Sequence, residues 1–220
     1  MTLAVLGEPA PPLSVSTWVQ GDPCNFADLI GKVVLVEVFQ VNCPGCFLYA
    51  LPQAIDLYQR YVDQGLVVLG VATAFEDFDK NNLKNLQSLS EQNQVPGETY
   101  RVLQAQGQLK NSRLPFHIPF PLAMDNLRNS EQTSTAEHIA QFINDRVPDF
   151  AQQAHDVQQS ITRQARQYLG SLSYYAETFN RFNMQGTPSH LLVDKQGLLR
   201  ESRFGYFPDL EADIASLLRD

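Results

Sequence analysis

The chain is poor in cysteine: among 220 residues it has only Cys24, Cys43 and Cys46. Three thiols are too few for a disulfide framework, so the fold has to rest on its core. No apolar stretch approaches 18 residues, so no membrane-spanning helix is expected. There is no run of five or six like charges and no basic stripe. The net charge of −8 argues against nucleic acid and anionic membranes as partners. The four histidines, His117, His138, His155 and His190, are scattered without ligand spacing to one another. With so few donors, neither a metal site nor a cofactor is expected. The first eight residues lack the basic and long apolar regions of a secretory leader. With Met1 as the natural start, this predicts a cytoplasmic protein; a removed leader would make it periplasmic.

What is present is a well-stocked core. Hydrophobic residues make up 44% of the chain and charged residues 18%, enough for one good-sized domain or a domain with an insertion. Pro9, Pro11 and Pro12 mark an extended lead-in, and residues 13–19 alternate like a strand. A short helical turn is predicted over 26–32. The run 33–39 is almost wholly apolar, as in the buried centre of a parallel sheet. Leu48, Leu51, Ile55, Tyr58 and Val62 repeat at spacings of three and four, which predicts a helix over 44–63, kinked at Pro52. Residues 66–72 are a second buried strand, so the order is β-α-β. Residues 74–118 are polar, with a helix around 82–92, and 119–125 read as a third strand.

Ser134-Thr135-Ala136-Glu137 has the form of a capping box for a helix to about Arg146. Beyond Pro148 an apolar face from Phe150 to Tyr175 predicts a second helix over 149–181. Its simplest use is to pack onto the domain or onto the shorter helix; a homodimer contact or a lid over Cys43 would be others. Residues 189–194 and 198–204 read as a hairpin around Lys195-Gln196-Gly197, followed by a C-terminal helix from Pro208.

Cys43-Pro44-Gly45-Cys46 carries the chemistry. The pair directly follows the apolar strand and opens the helix. There the first thiol meets free backbone N–H groups and the positive end of the helix dipole, which favour a thiolate. The spacing also suits metal binding. Two further features bear on the choice. Glu37 is an acid inside the apolar strand, and a buried carboxyl with a raised pKa can exchange protons near neutral pH. Gly186-Thr187-Pro188 precedes a strand, and X–Pro bonds are the ones that adopt cis.

With Gly31-Lys32-Val33 through Phe39, Cys43-Pro44-Gly45-Cys46, Pro52, Gly186-Thr187-Pro188 and Asp194-Lys195-Gln196-Gly197, the chain resembles the thioredoxin-fold superfamily. It is most similar to the TlpA-like and redoxin (AhpC/TSA-related) branch. The resemblance covers residues 5–125 and 182–219. It implies an α/β, three-layer fold with a central mixed sheet. Residues 1–125 and 182–220 would form the thioredoxin-like domain and 126–181 an all-helical insertion. It also implies a thiol–disulfide oxidoreductase with a place in cell redox homeostasis and antioxidant defence. Cys43 would be the nucleophile, Cys46 the resolving thiol and Glu37 a proton shuttle. Pro188 would be cis, and Thr187, Pro188, Pro44 and Gly45 would meet the substrate. The implied partners are protein or small-molecule disulfides and thiols, with a reductant or oxidant to recycle the pair. The chain departs from the family pattern at Asn42, where tryptophan is usual, and in its Pro-Gly dipeptide, a position that helps set redox poise.

Three other readings compete. A peroxiredoxin-type peroxidase needs Thr or Ser three residues before its cysteine and Pro four before that; the chain has Gln40 and Val36. A metal-binding module would need ligands beyond Cys43 and Cys46. A redox-inactive interaction protein would keep the fold without using the thiols. Cys24 reads as a small, partly buried loop residue, its functional alternative being a third thiol that traps mixed disulfides. His190, opposite in face to Leu191, reads as structural.

Overall fold

The computed structural model describes residues 3–219. Met1 and Thr2, on which the reading of the natural start rests, lie outside them, as does Asp220. In chain order the elements begin with β1 (Val15–Gln20), a 3₁₀ turn (Phe26–Leu29) and β2 (Val33–Phe39). A helix then starts at Pro44, passes through a π turn over Cys46–Ala50 and continues as α1 (Leu51–Tyr61). Next come β3 (Leu66–Ala72), α2 (Leu83–Gln92), α3 (Gly97–Ala105) and β4 (Leu122–Asp125). They are followed by β5 (Leu127–Asn129), α4 (Ser130–Thr133), α5 (Ala136–Arg146) and α6 (His155–Ser171). The chain ends with β6 (Tyr174–Ala176), α7 (Glu177–Arg181), β7 (Ser189–Val193), β8 (Leu199–Phe204) and α8 (Leu210–Arg219).

Six strands form one mixed sheet in the order β1-β4-β3-β2-β7-β8. β2, β3 and β4 run parallel, while β1, β7 and β8 pair antiparallel to their neighbours. β2 is central and every residue in it is buried. Its alternate side chains serve two cores, because successive residues of a strand point to opposite faces. Val33, Leu35 and Phe39 join Leu51, Leu57, Leu86, Leu103 and Ile214 on the helix side. Val34, Val36 and Val38 join Leu13, Phe26, Phe182 and Met184 on the other. The architecture is thus α/β, as the apolar runs predict, with the three layers about a mixed sheet that the family resemblance implies. No helix among the described residues is long and apolar enough to cross a membrane.

Three local expectations need correction, and one helix was not foreseen. The helix predicted over 149–181 ends at Ser171. Tyr174–Ala176 instead pairs antiparallel with Leu127–Asn129, so the segment expected to be all-helical also carries a two-stranded ribbon. The N-cap of α5 is Thr135, whose side chain accepts the His138 N–H at 3.2 Å, one residue later than the capping box places it. α3, which the sequence reading passed over, begins after Pro96. At Pro52 the departure from regular helix is a change of hydrogen-bond register: the Leu51 N–H reaches back five residues to the Cys46 carbonyl. Pro52 has no N–H with which to continue an ordinary ladder, and the wide turn lies directly before it.

The segment between the ribbon strands has its own small core of Ile139, Ile143, Ala165, Leu169 and Tyr175. It is anchored at Asp125, the fully buried last residue of β4. That carboxylate accepts hydrogen bonds from Thr73 Oγ1 at 2.7 Å and from the N–H groups of Thr178 and Phe179 at 2.8 and 3.1 Å. Two aromatic pairs, Phe75–Phe179 and Phe78–Tyr174, each 4.9 Å between centroids, carry the same contact toward residues 75–82.

Candidate active site

The end of β2 delivers Cys43 to the mouth of the sheet. Pro44 suits the first turn of a helix because its missing N–H would have no partner there. The Cys46 N–H donates to Cys43 Sγ at 3.3 Å, and Cys43 Sγ lies 3.6 Å from the Thr187 carbonyl oxygen. Cys43 is partly exposed and Cys46 is buried. Both are free thiols, as is Cys24.

The two thiols differ in acidity because their surroundings differ. The Cys43 thiol is lowered from 9.0 to about 7. The hydrogen bond from the Cys46 thiol contributes most, and the Cys46 N–H, Thr187 and the Gly45 N–H add to it against the cost of burial. Cys46 is pushed well above its ordinary range by burial, then by its bond to Cys43. Glu37 is also raised, by burial first and by the negative charge on Cys43 second. Its Oε1 has no hydrogen-bond partner, so at that oxygen no donor offsets the desolvation of a carboxylate.

The Thr187–Pro188 peptide bond is cis and lies across from the cysteines at the start of β7. It is held from two sides. Thr187 Oγ1 donates to Gln40 Oε1 at 3.1 Å, and the Gln40 amide reaches the Glu76 carbonyl at 3.4 Å. On the other side Gly186 sits under Phe204, where a Cβ would come within 2.6 Å of the ring. The structure therefore brings Glu37, Cys43, Pro44, Gly45, Cys46, Thr187 and Pro188 into one neighbourhood. Cys24 lies elsewhere, packed against the opposite core.

The sequence reading named Gln40 and Asn42 only as departures from family patterns and missed what each of them holds. Gln40 is buried and braces the Thr187 loop. The Asn42 N–H donates to Asn81 Oδ1 at 2.8 Å, its amide nitrogen reaches Asp77 at 2.9 Å, and its Oδ1 accepts the Glu98 N–H at 2.7 Å. Asn42 thus ties the cysteine turn to residues 77–81 and to the start of α3. Their polarity between an apolar strand and a reactive turn was the available signal. Gln40 also occupies the position where the peroxidase reading needs a hydroxyl. Among the described residues, no group of three or more His, Cys, Asp or Glu could hold a metal ion.

Solved structures share this arrangement of sheet and helices. A thioredoxin-like superfamily protein aligns over 97% of both chains with a TM-score of 0.56 and 24% identity. A thiol-disulfide isomerase from Corynebacterium glutamicum aligns over the same shares at 0.58 and 24%. The chain has the thioredoxin-like fold. No protein-family model matches this thioredoxin-like chain. Among curated proteins, Protein FixW of Rhizobium leguminosarum is 27% identical over 128 residues, 54% of this chain and 56% of FixW. Protein DipZ of Mycobacterium bovis is 39% identical over 70 residues, 30% of this chain and 10% of DipZ. The chain therefore spans about half the length of FixW and a tenth of DipZ.

Proposed function

We propose that this chain is a thiol–disulfide oxidoreductase that cycles Cys43 and Cys46 between dithiol and disulfide. The observation that carries the reading is the asymmetry of the pair. Cys43 is acidified and accessible at a helix N-terminus, while Cys46 is buried, held as a thiol and donates to Cys43 Sγ. The thiolate is the attacking species in disulfide exchange.

In the proposed cycle the Cys43 thiolate attacks one sulfur of a substrate disulfide. A Cys43–substrate disulfide forms and the other substrate sulfur leaves as a thiolate. Glu37, as carboxylate, takes the proton of Cys46. The Cys46 sulfur then attacks Cys43 Sγ, the mixed disulfide breaks, and the second substrate sulfur leaves. The protein has lost two electrons and the substrate has gained them. An external dithiol reverses the change. The backbone at Thr187 would pair with an extended substrate beside Pro188, while Pro44 and Gly45 form the rim.

The test is insulin reduction in the presence of dithiothreitol. Wild-type protein should accelerate precipitation of the insulin B chain, and Cys43→Ser should remove the acceleration. Retention of wild-type rate by Cys43→Ser would refute the assignment.

A further inference from the structure

Glu37 poses a transport problem. It is buried on the helix side of β2, where burial and then the negative charge on Cys43 favour its protonated form in the resting dithiol. It must therefore lose a proton before it can accept one from Cys46. Part of what holds that proton is the negative charge on Cys43, which disappears when the mixed disulfide forms. The proton then needs a way out past an apolar core that includes Leu35, Phe39 and Ile214.

The sheet register supplies one. Glu37 is directly opposite His190 in the β2–β7 ladder, and facing residues of an antiparallel pair project to the same side with Cβ atoms about 5 Å apart. His190 is itself buried. Its Nε2 lies 3.3 Å from Glu201 Oε2 on β8. Glu201 is 11% exposed at its side chain, and Arg203 Nη2 holds its other oxygen at 2.8 Å. Arg203 Nη1 lies 3.7 Å from Asp213 on α8, which is 39% exposed. The ring of Phe207 packs edge-to-face against His190 at 5.2 Å, and the Arg203 guanidinium lies over the same Phe207 ring at 5.3 Å. The titratable and charged groups facing His190 are thus Glu37, Glu201, Arg203 and Asp213, and they run in order from the core to water.

We propose that His190 and Glu201 form a proton relay between Glu37 and solvent. The inference rests on the thiol–disulfide reading above. Glu37 gives its proton to Nδ1 of a neutral His190, and the Nε2 proton passes to the Glu201 carboxylate and on to water. The ring ends neutral in its other tautomer. When an external dithiol reduces the pair, Cys46 leaves as a thiolate and takes a proton from Glu37. The relay then runs inward and restores the first tautomer. One proton moves out in the oxidative half and one moves in during the reductive half. The acidities suit the task. Burial, with Arg203, holds His190 down to about 4, so the ring is neutral. Burial, with Asp213, lifts Glu201 to about 7, so it exchanges with water near neutrality.

Stopped-flow reaction with 5,5′-dithiobis(2-nitrobenzoate), in a Cys24→Ser background, separates the steps. The first thionitrobenzoate release reports attack by Cys43 and depends on reagent concentration. The second is unimolecular and reports attack by Cys46. His190→Leu and Glu201→Gln should each slow the second phase about tenfold at pH 7, below the range for losing a direct general base. The first phase should stay within twofold, and neither variant should add slowing in a Glu37→Gln background. A second phase unchanged in Glu201→Gln, which keeps the side-chain shape, would overturn the relay, and so would effects that multiply with Glu37→Gln. If Glu37→Gln itself leaves the second phase unchanged, its assignment as base falls. If no second release occurs in the parent protein, the dithiol reading falls.

Discussion

Replacing Cys46 by alanine should reveal how much of the acidity of Cys43 comes from its neighbour. With Cys43 at about 7, roughly a tenth is thiolate at pH 6, against about a thousandth for a thiol at 9.0. That is a gain of about 100-fold in the attacking species. Lower basicity takes some of it back: with a Brønsted coefficient of about 0.4–0.5, two units cost a factor of about 6–10. Cys43 should therefore alkylate with iodoacetamide about tenfold faster than an ordinary thiol at pH 6. Cys46→Ala removes the largest stabilising contact but keeps the backbone N–H. A weak S–H donor to a charged acceptor contributes about 1–1.5 kcal/mol, or about one unit. The thiolate absorbance at 240 nm should then titrate about one unit higher in Cys46→Ala, and alkylation at pH 6 should fall about threefold. An unchanged midpoint in the variant would refute the claim that the Cys46 thiol is the main acidifying partner, and a parent midpoint above about 8.5 would refute the site as described.

Glu37 has a folded-state pKa raised above its unfolded value, so its contribution to stability is greatest below about 4.3 and is lost as pH rises toward the raised value. Glu37→Leu should make the reduced protein more stable at pH 8, by about 1–3 kcal/mol for an unpaired buried polar group. The gain should shrink at pH 5, and urea unfolding at the two pH values checks both size and sign. Asp125→Ala leaves the Thr178 and Phe179 N–H groups without an acceptor. It should cost about 2–4 kcal/mol, measured by urea midpoint. Gly97→Ala puts a Cβ 2.5 Å from Asn42 Oδ1 at a φ of +52°. It should lower stability by about 1–2 kcal/mol and speed hydrogen exchange at the Glu98 amide, which Asn42 protects.

The parts of this fold legible in the sequence are those with a strong period or a fixed chemical need. Val33–Phe39, apart from Glu37, and Leu66–Ala72 are apolar because both faces of each strand are covered. Cys43 and Cys46 stand out by type and spacing, and Glu37 by being an acid among valines. The ribbon was hidden because three residues carry no period. Tyr175 falls three positions after Leu172, so it extends the helical stripe by accident, although Gly170-Ser171 and Ser173 weaken the helix there. The start of α3 at Pro96-Gly97 was marked only by a proline and glycine. His190 and Glu201 are 11 residues apart on different strands, so only the register brings them together. The same is true of Gln40 with Thr187, which are 147 positions apart.

The ribbon at the base of the helical segment has a consequence for the architecture of related chains. Leu127 faces Ala176 across the ladder, and the Glu177 N–H donates to the Asn126 carbonyl at 3.0 Å. The chain thus leaves β4 and returns to α7 through adjoining positions, like a drawer on a short rail. Opposed Cα atoms in such a ladder lie about 4.5–5.5 Å apart, a gap that two residues span. Everything from 127 to 176 could then be exchanged for a short turn, or for another module, while Asp125 keeps its hold on Thr178. Length variation between otherwise similar chains would be tolerated at this doorway, because a longer loop adds little closure entropy.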